Sequence, residues 1–173
     1  LHGRGFRAGG GSEGWDNGAN LATRGDVVVI TINHRLNAFG HLYLGEIGGP
    51  EFASSGMVGM LDAVLALEWV RDNVAAFGGD PDNVMIFGES GGGAKVSTLL
   101  ALPQAQGLFN KAAIQSGPGL KGADPKAATA FAEQLLAHLG IPRTELRRLQ
   151  ELPHEQITAG LQALEKAGVA NPM

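Results

Sequence analysis

The stretch from Val84 to Leu100, VMIFGESGGGAKVSTLL, constrains the fold of this chain more than any other. Its first four residues have the length and composition of a buried strand and lead without a break into Gly88-Glu89-Ser90-Gly91-Gly92. A segment with helical character leaves that turn and is stopped by Pro103, so the helix is predicted over 90–102. Two chemical devices share this strand–turn–helix plan. One cradles a phosphate on backbone N–H groups at the helix start, and the other raises a serine as a nucleophile on a strained turn.

The residues separate the two devices. A phosphate loop needs G-x-x-x-x-G-K-[ST]. Gly88 and Gly93 have that separation, but Ala94 occupies the lysine position, Lys95 comes one place late and Val96 replaces the hydroxyl residue that would hold magnesium. The dinucleotide pattern G-x-G-x-x-G fails as well, because Val96 stands where its third glycine belongs. The pattern G-x-S-x-G is met in full. Glycines two before and two after Ser90 would keep neighbouring backbone clear of a strained residue. The plainer alternative for Ser90 is a helix-capping serine. The strand before it and the helix after it favour the nucleophile.

Such a serine also needs backbone donors for the oxyanion that develops at the attacked carbonyl. One is the N–H of the residue after the nucleophile, here Gly91. The others come from an earlier glycine loop of the HGGG type. Leu1–Phe6, LHGRGF, is such a loop with Arg4 in place of one glycine. Because backbone N–H groups do the work, a side chain is tolerated there if it points away.

The rest of the chain reads as alternating strands and helices. Residues 26–33, DVVVITIN, form a β-branched run suited to a strand buried on both faces. A long irregular stretch rich in Gly and Ser follows. Residues 57–76 are predicted as a helix, with Leu61, Val64 and Leu65 on an apolar face and Glu68, Arg71 and Asp72 on a polar one. Strands are expected at 84–88 and 111–117, which with the intervening helices implies an α/β fold around a mostly parallel sheet. Three amphipathic helices are expected at 124–140, 143–152 and 153–168, the first capped by Asp124 with Pro125 at its first position. No internal repeat is visible.

Composition bounds the function classes. The 173 residues suffice for one domain with a sizeable core, and 44% hydrophobic with 17% charged residues is globular. A net charge of −4, with no basic run longer than Arg147-Arg148, argues against a nucleic-acid partner. There is no Cys, and no His pair has metal-ligand spacing, so neither disulfide nor metal site is expected. No run of about 18 apolar residues is apparent, so no membrane span is predicted. The chain opens on Leu and inside a motif, so its start is expected to lie within a longer protein, and its compartment and oligomeric state are open.

Taken together, HGRGF, VVVITINHRLNAFG, GMLDAVLALEWVRDNVAAFGGDPDNVMIFGESGGG and GLFNKAAIQSG resemble, in order, the type-B carboxylesterase (cholinesterase-like) family of the α/β-hydrolase superfamily. The resemblance covers most of residues 1–120 and is most specific over 59–92; residues 121–173 are similar to the helical region that follows. It implies that 1–173 is part of a single α/β-hydrolase domain acting on small-molecule esters without a cofactor. It implies Ser90 as the acylated nucleophile, with oxyanion donors at Arg4, Gly5 and Gly91, where the family usually has Ala at 91. It further implies that Glu89 tunes the pocket's charge and that Arg35 and Asp62 form a buried structural ion pair.

A serine nucleophile needs a base and a carboxylate to orient it. In α/β-hydrolases both follow the serine in the order acid, then His. The family's acid and His lie further beyond the nucleophile than this chain extends, so both are expected outside it. His138 at a helix end and His154 at a helix start read as helix-terminal residues. His34 and His41 precede the nucleophile in a loop, and His2 reads as packing in the oxyanion loop. The competing function is a non-catalytic, esterase-like binding or adhesion module. A third possibility, that these residues alone form an active enzyme, lacks a base.

Overall fold

The computed structural model describes residues 1–172. In chain order the regular elements are α1 (Ala19–Gly25), α2 (Asn37–His41), α3 (Gly45–Gly48), α4 (Val58–Asn73), β1 (Met85–Glu89), α5 (Gly91–Ala101), β2 (Lys111–Gln115), α6 (Pro125–His138) and α7 (His154–Lys166). They divide into two compact units. The first comprises Leu1–Arg35 with Gly59–Lys121; the second comprises Leu36–Val58 with the chain from Gly122 onward.

In the first unit β1 and β2 pair in parallel, from Met85 opposite Lys111 to Glu89 opposite Gln115. A parallel pair needs a crossover, and α5 supplies it, packing on both strands. α4 buries Met60, Ala63, Val64, Leu67 and Val70, the three-to-four spacing of a core-facing helix. Leu65, expected on that face, is exposed instead. The helix runs on as a 3₁₀ turn, Val74–Phe77, and is closed by Gly78 at φ 83°, whose N–H donates to the Val74 and Ala75 carbonyls. That left-handed cap is what a glycine provides at low steric cost.

The strand expected at 26–33 needs correcting. The run at 26–33 is not a strand. A strand exists only through a partner, and this segment pairs with neither β1 nor β2. A groove of about 450 Å³ lies between Val27–Ile32, β1 and α4, and Val27, Val28 and Ile30 stay half-exposed beside it. The helical stretch Pro50–Phe77 is long and apolar enough, by length and composition, to cross a membrane. It carries Asp62, Glu68, Arg71 and Asp72, and its α4 portion buries one face in the first unit. Those features describe a core helix.

The second unit has its own core. Leu42 and Leu44 meet Phe131, Leu135 and Leu136 of α6, Ile141 and Leu146 of the following loop, and Ile157, Leu161 and Leu164 of α7. Asp124 caps α6, its carboxylate accepting from the Lys126 and Ala127 N–H groups at 2.8 and 3.1 Å. Such a cap is worth about 1 kcal/mol. Residues 143–150, expected as an α-helix, form 3₁₀ turns broken at Glu145 (φ −128°, ψ 35°). Pro142 and Pro153 bracket the segment, and the non-helical backbone at Glu145 interrupts it.

Candidate active site

Ser90 sits between β1 and α5 with φ 55° and ψ −119°. A non-glycine residue in that region stores about 1–3 kcal/mol of strain. The surroundings hold it there. Its N–H donates to the Gln115 carbonyl of β2 at 2.8 Å, and its carbonyl accepts the first α5 bond from Ala94 at 3.1 Å. The Ser90 side chain makes no capping hydrogen bond, so the helix does not use it, and the residue is exposed. The capping alternative is set aside on that geometry.

The flanking glycines are sterically required. A Cβ on Gly88 would lie 2.4 Å from the Gly92 carbonyl carbon, and one on Gly92 would lie 2.2 Å from the Leu1 carbonyl oxygen. β1, the turn and α5 are therefore packed backbone to backbone where a methyl group has no room. The loop 1–6 closes on the same turn. Gly3 lies against Glu89 and Ser90, its Cβ position 3.7 Å from the Ser90 Cβ. Gly5 lies against Gly91, its nitrogen 2.2 Å from where a Gly91 Cβ would stand.

Arg4 and Gly5 are both in the left-handed region, at φ 62° and 63°. Arg4 therefore takes a backbone conformation that glycine takes more readily. Its side chain is directed elsewhere, to the Glu13 carboxylate at 3.2 Å and over the Trp15 ring at 5.3 Å. Glu89, at the end of β1, is exposed, with its carboxylate 3.6 Å from the Gly3 Cβ position.

Arg35 and Asp62 meet. The Arg35 guanidinium donates to both Asp62 oxygens, at 2.9 Å from Nε and 2.6 Å from Nη2, and the Arg35 backbone N–H adds a third bond at 2.9 Å. The hydrogen bonds from Arg35 hold the Asp62 carboxyl below its usual range, and those same bonds raise Arg35. The expected burial is not found. The Arg35 side chain is 56% exposed and that of Asp62 22%, so solvent screening applies. Arg35 ends the first segment of unit one and Asp62 lies near the start of the second, so the pair ties the two ends of the 36–58 excursion.

Lys95 carries a signal that the sequence reading left unused. It is fully buried, its ammonium donates to the His2 carbonyl at 3.0 Å, and it lies 5.7 Å from the centre of the Phe6 ring. Loss of water around it lowers its pKa to about 8. Burial, and then the nearby Lys95 charge, also lower His2, which stacks on His34 with ring centres 4.9 Å apart. The spacing Gly91, Gly92, Lys95, Val96, Leu99 places Lys95 on the buried face of α5, which the helical period could have disclosed.

The other histidines are engaged within the second unit. His41 Nδ1 is 3.3 Å from the Gly56 carbonyl, and His138 ends α6 against Gly160 of α7. His154 opens α7, three-quarters exposed, 3.3 Å from Glu155.

The sequence profile described as the Carboxylesterase family matches residues 1–169. The para-nitrobenzyl esterase of Bacillus subtilis is 42% identical over 171 residues, covering 99% of this chain and 34% of the relative. Acetylcholinesterase 4 of Caenorhabditis briggsae is 40% identical over 148 residues, covering 83% of this chain and 24% of the relative. Among solved structures, a Geobacillus stearothermophilus carboxylesterase superposes with a TM-score of 0.93 at 46% identity, covering 99% of this chain and 36% of that one. The chain thus spans between about a quarter and a third of the length of these relatives. Its fold is that of part of an α/β-hydrolase, and the chain belongs to the carboxylesterase family.

Proposed function

We propose that the protein carrying this chain hydrolyses small carboxylic esters through an acyl-enzyme on Ser90, within a single α/β-hydrolase domain to which residues 1–173 contribute. The observation that carries the reading is the Ser90 turn itself. A serine held at φ 55°, unused as a helix cap and exposed beside the Gly5–Gly91 contact, supports the role of nucleophile.

In this mechanism a base outside residues 1–173 takes the Ser90 proton as Oγ attacks the ester carbonyl. The carbonyl oxygen becomes an oxyanion, held by backbone N–H groups of Arg4, Gly5 and Gly91 and favoured by the N-terminus of α5. Collapse breaks the C–O bond to the leaving group, which departs as the alcohol with the proton from the base. Water, deprotonated by the same base, attacks the acyl-enzyme, and the acid leaves as Ser90 recovers its proton. Glu89, beside the nucleophile, sets the charge of the pocket in this reading.

The test is hydrolysis of p-nitrophenyl acetate by the whole protein and its Ser90→Ala variant. The variant is expected to lose at least about 10⁴-fold in kcat. Unchanged turnover in the variant contradicts the reading. A whole protein without esterase activity, with Ser90 inert to a fluorophosphonate, would favour the binding-module alternative.

A further inference from the structure

We propose that Lys95 is a positioning residue of this reaction: its buried ammonium clamps the loop His2–Phe6 onto the helix that Ser90 opens, and so fixes the distance between loop donors and nucleophile. The inference rests on the esterase reading of Ser90 and extends it to a residue on the far side of the loop.

Four observations carry it. Lys95 has no exposed surface, an unusual position for an ammonium, which is buried at a cost unless it is partnered. The partner that Nζ reaches is the His2 carbonyl at 3.0 Å, a backbone atom of the loop and not a carboxylate. The same ammonium lies over the Phe6 ring, 5.7 Å from its centre, so one side chain faces both the start and the end of the His2–Phe6 segment. Lys95 is five residues after Ser90 on α5, which is itself packed on β1 and β2. The clamp therefore refers the loop to the same rigid frame as the nucleophile.

The loop needs such a device. Arg4 and Gly5 both hold left-handed φ values, and an unsupported segment of this kind relaxes toward commoner conformations. Gly5 must stay against Gly91 for its N–H to face the oxyanion, and small displacements of donors are costly to rate. His2, between clamp and donors, is also fixed by its stack on His34.

The experiment uses the whole protein and its Lys95→Met and Lys95→Gln variants. Each is normalised by fluorophosphonate titration of Ser90. The readouts are kcat and KM for p-nitrophenyl acetate, and the affinity of a trifluoromethyl ketone, whose adduct places an oxyanion against the loop. Lys95→Met is expected to lower kcat by about 10–100-fold, with ketone affinity falling in step and KM within about twofold. Lys95→Gln, whose amide can still donate to the His2 carbonyl, is expected to recover to within about fivefold of the parent. A folded Lys95→Met protein with parental kcat and ketone affinity overturns the proposal, as does a Lys95→Gln protein as impaired as Lys95→Met. If Lys95→Met does not fold, Lys95→Ala, which leaves room for water, is held to the same numbers. Ser90→Ala measured alongside separates the two levels: turnover in that variant sinks the esterase reading, whereas parental turnover in the Lys95 variants alone sinks only the clamp.

Discussion

The Gly5 backbone occupies the space that a side chain on Gly91 would need. Its nitrogen, Cα and oxygen lie 2.2, 2.4 and 2.6 Å from the Cβ position of residue 91. Two proposed donors of the oxyanion site thus approach each other closely, with no room for a side chain between them. Arg4 and Gly5, both left-handed, carry the loop into this close approach.

Gly91→Ala should therefore push the loop away from the nucleophile. The expected result is a fall of about tenfold or more in kcat with little change in KM, since a displaced donor weakens the transition state more than substrate binding. Steady-state kinetics on p-nitrophenyl acetate checks it.

Gly88→Ala meets backbone and not a movable side chain, with the new Cβ 2.4 Å from the Gly92 carbonyl carbon. Relief requires β1 to part from α5. A destabilisation of about 3 kcal/mol or more is expected, read as a lowered midpoint in urea.

Local features of this fold were legible in the sequence. β1, the Ser90 turn, α5, α4 and the Asp124 cap depend on residues within a few positions of one another; each formed within a residue or two of its expected place, except that α4 passes into a 3₁₀ turn after Asn73. Long-range features were not legible. The 26–33 run has a strand's composition, but a strand is made by its partner, and none of the described residues pairs with it. The Arg35–Asp62 pair formed, yet its burial depends on what covers it, and the pattern of residues carries no such information. In sequence Lys95 reads only as a lysine one place late for a phosphate loop, because its partner, the His2 carbonyl, lies 93 residues away.

Asp62→Asn should cost about 1 kcal/mol near neutral pH, a value suited to a half-exposed pair. The sign of its pH dependence follows from the lowered Asp62 pKa. The carboxylate contributes stability above its ordinary value near 3.8, and that contribution is lost as pH falls through the lower folded value. Urea denaturation from pH 7 to 3 should show the parent and variant curves converging at the acid end.

Lys95 makes the opposite kind of contribution. Its folded pKa of about 8 lies below the ordinary 10.5, so the buried charge destabilises the fold below about pH 8. Between those values the unfolded chain binds more protons, and stability rises with pH. Lys95 should add about 2 kcal/mol between pH 7.5 and 10 in denaturant titrations, and Lys95→Met should remove that rise.

The most direct test of the central claim is to trap the covalent intermediate. The whole protein is treated with a fluorophosphonate and digested, and the modified residue is located by mass spectrometry. The account predicts one stoichiometric adduct on Ser90, formed in step with loss of esterase activity. An adduct on another residue, or full esterase activity with Ser90 blocked, would contradict it.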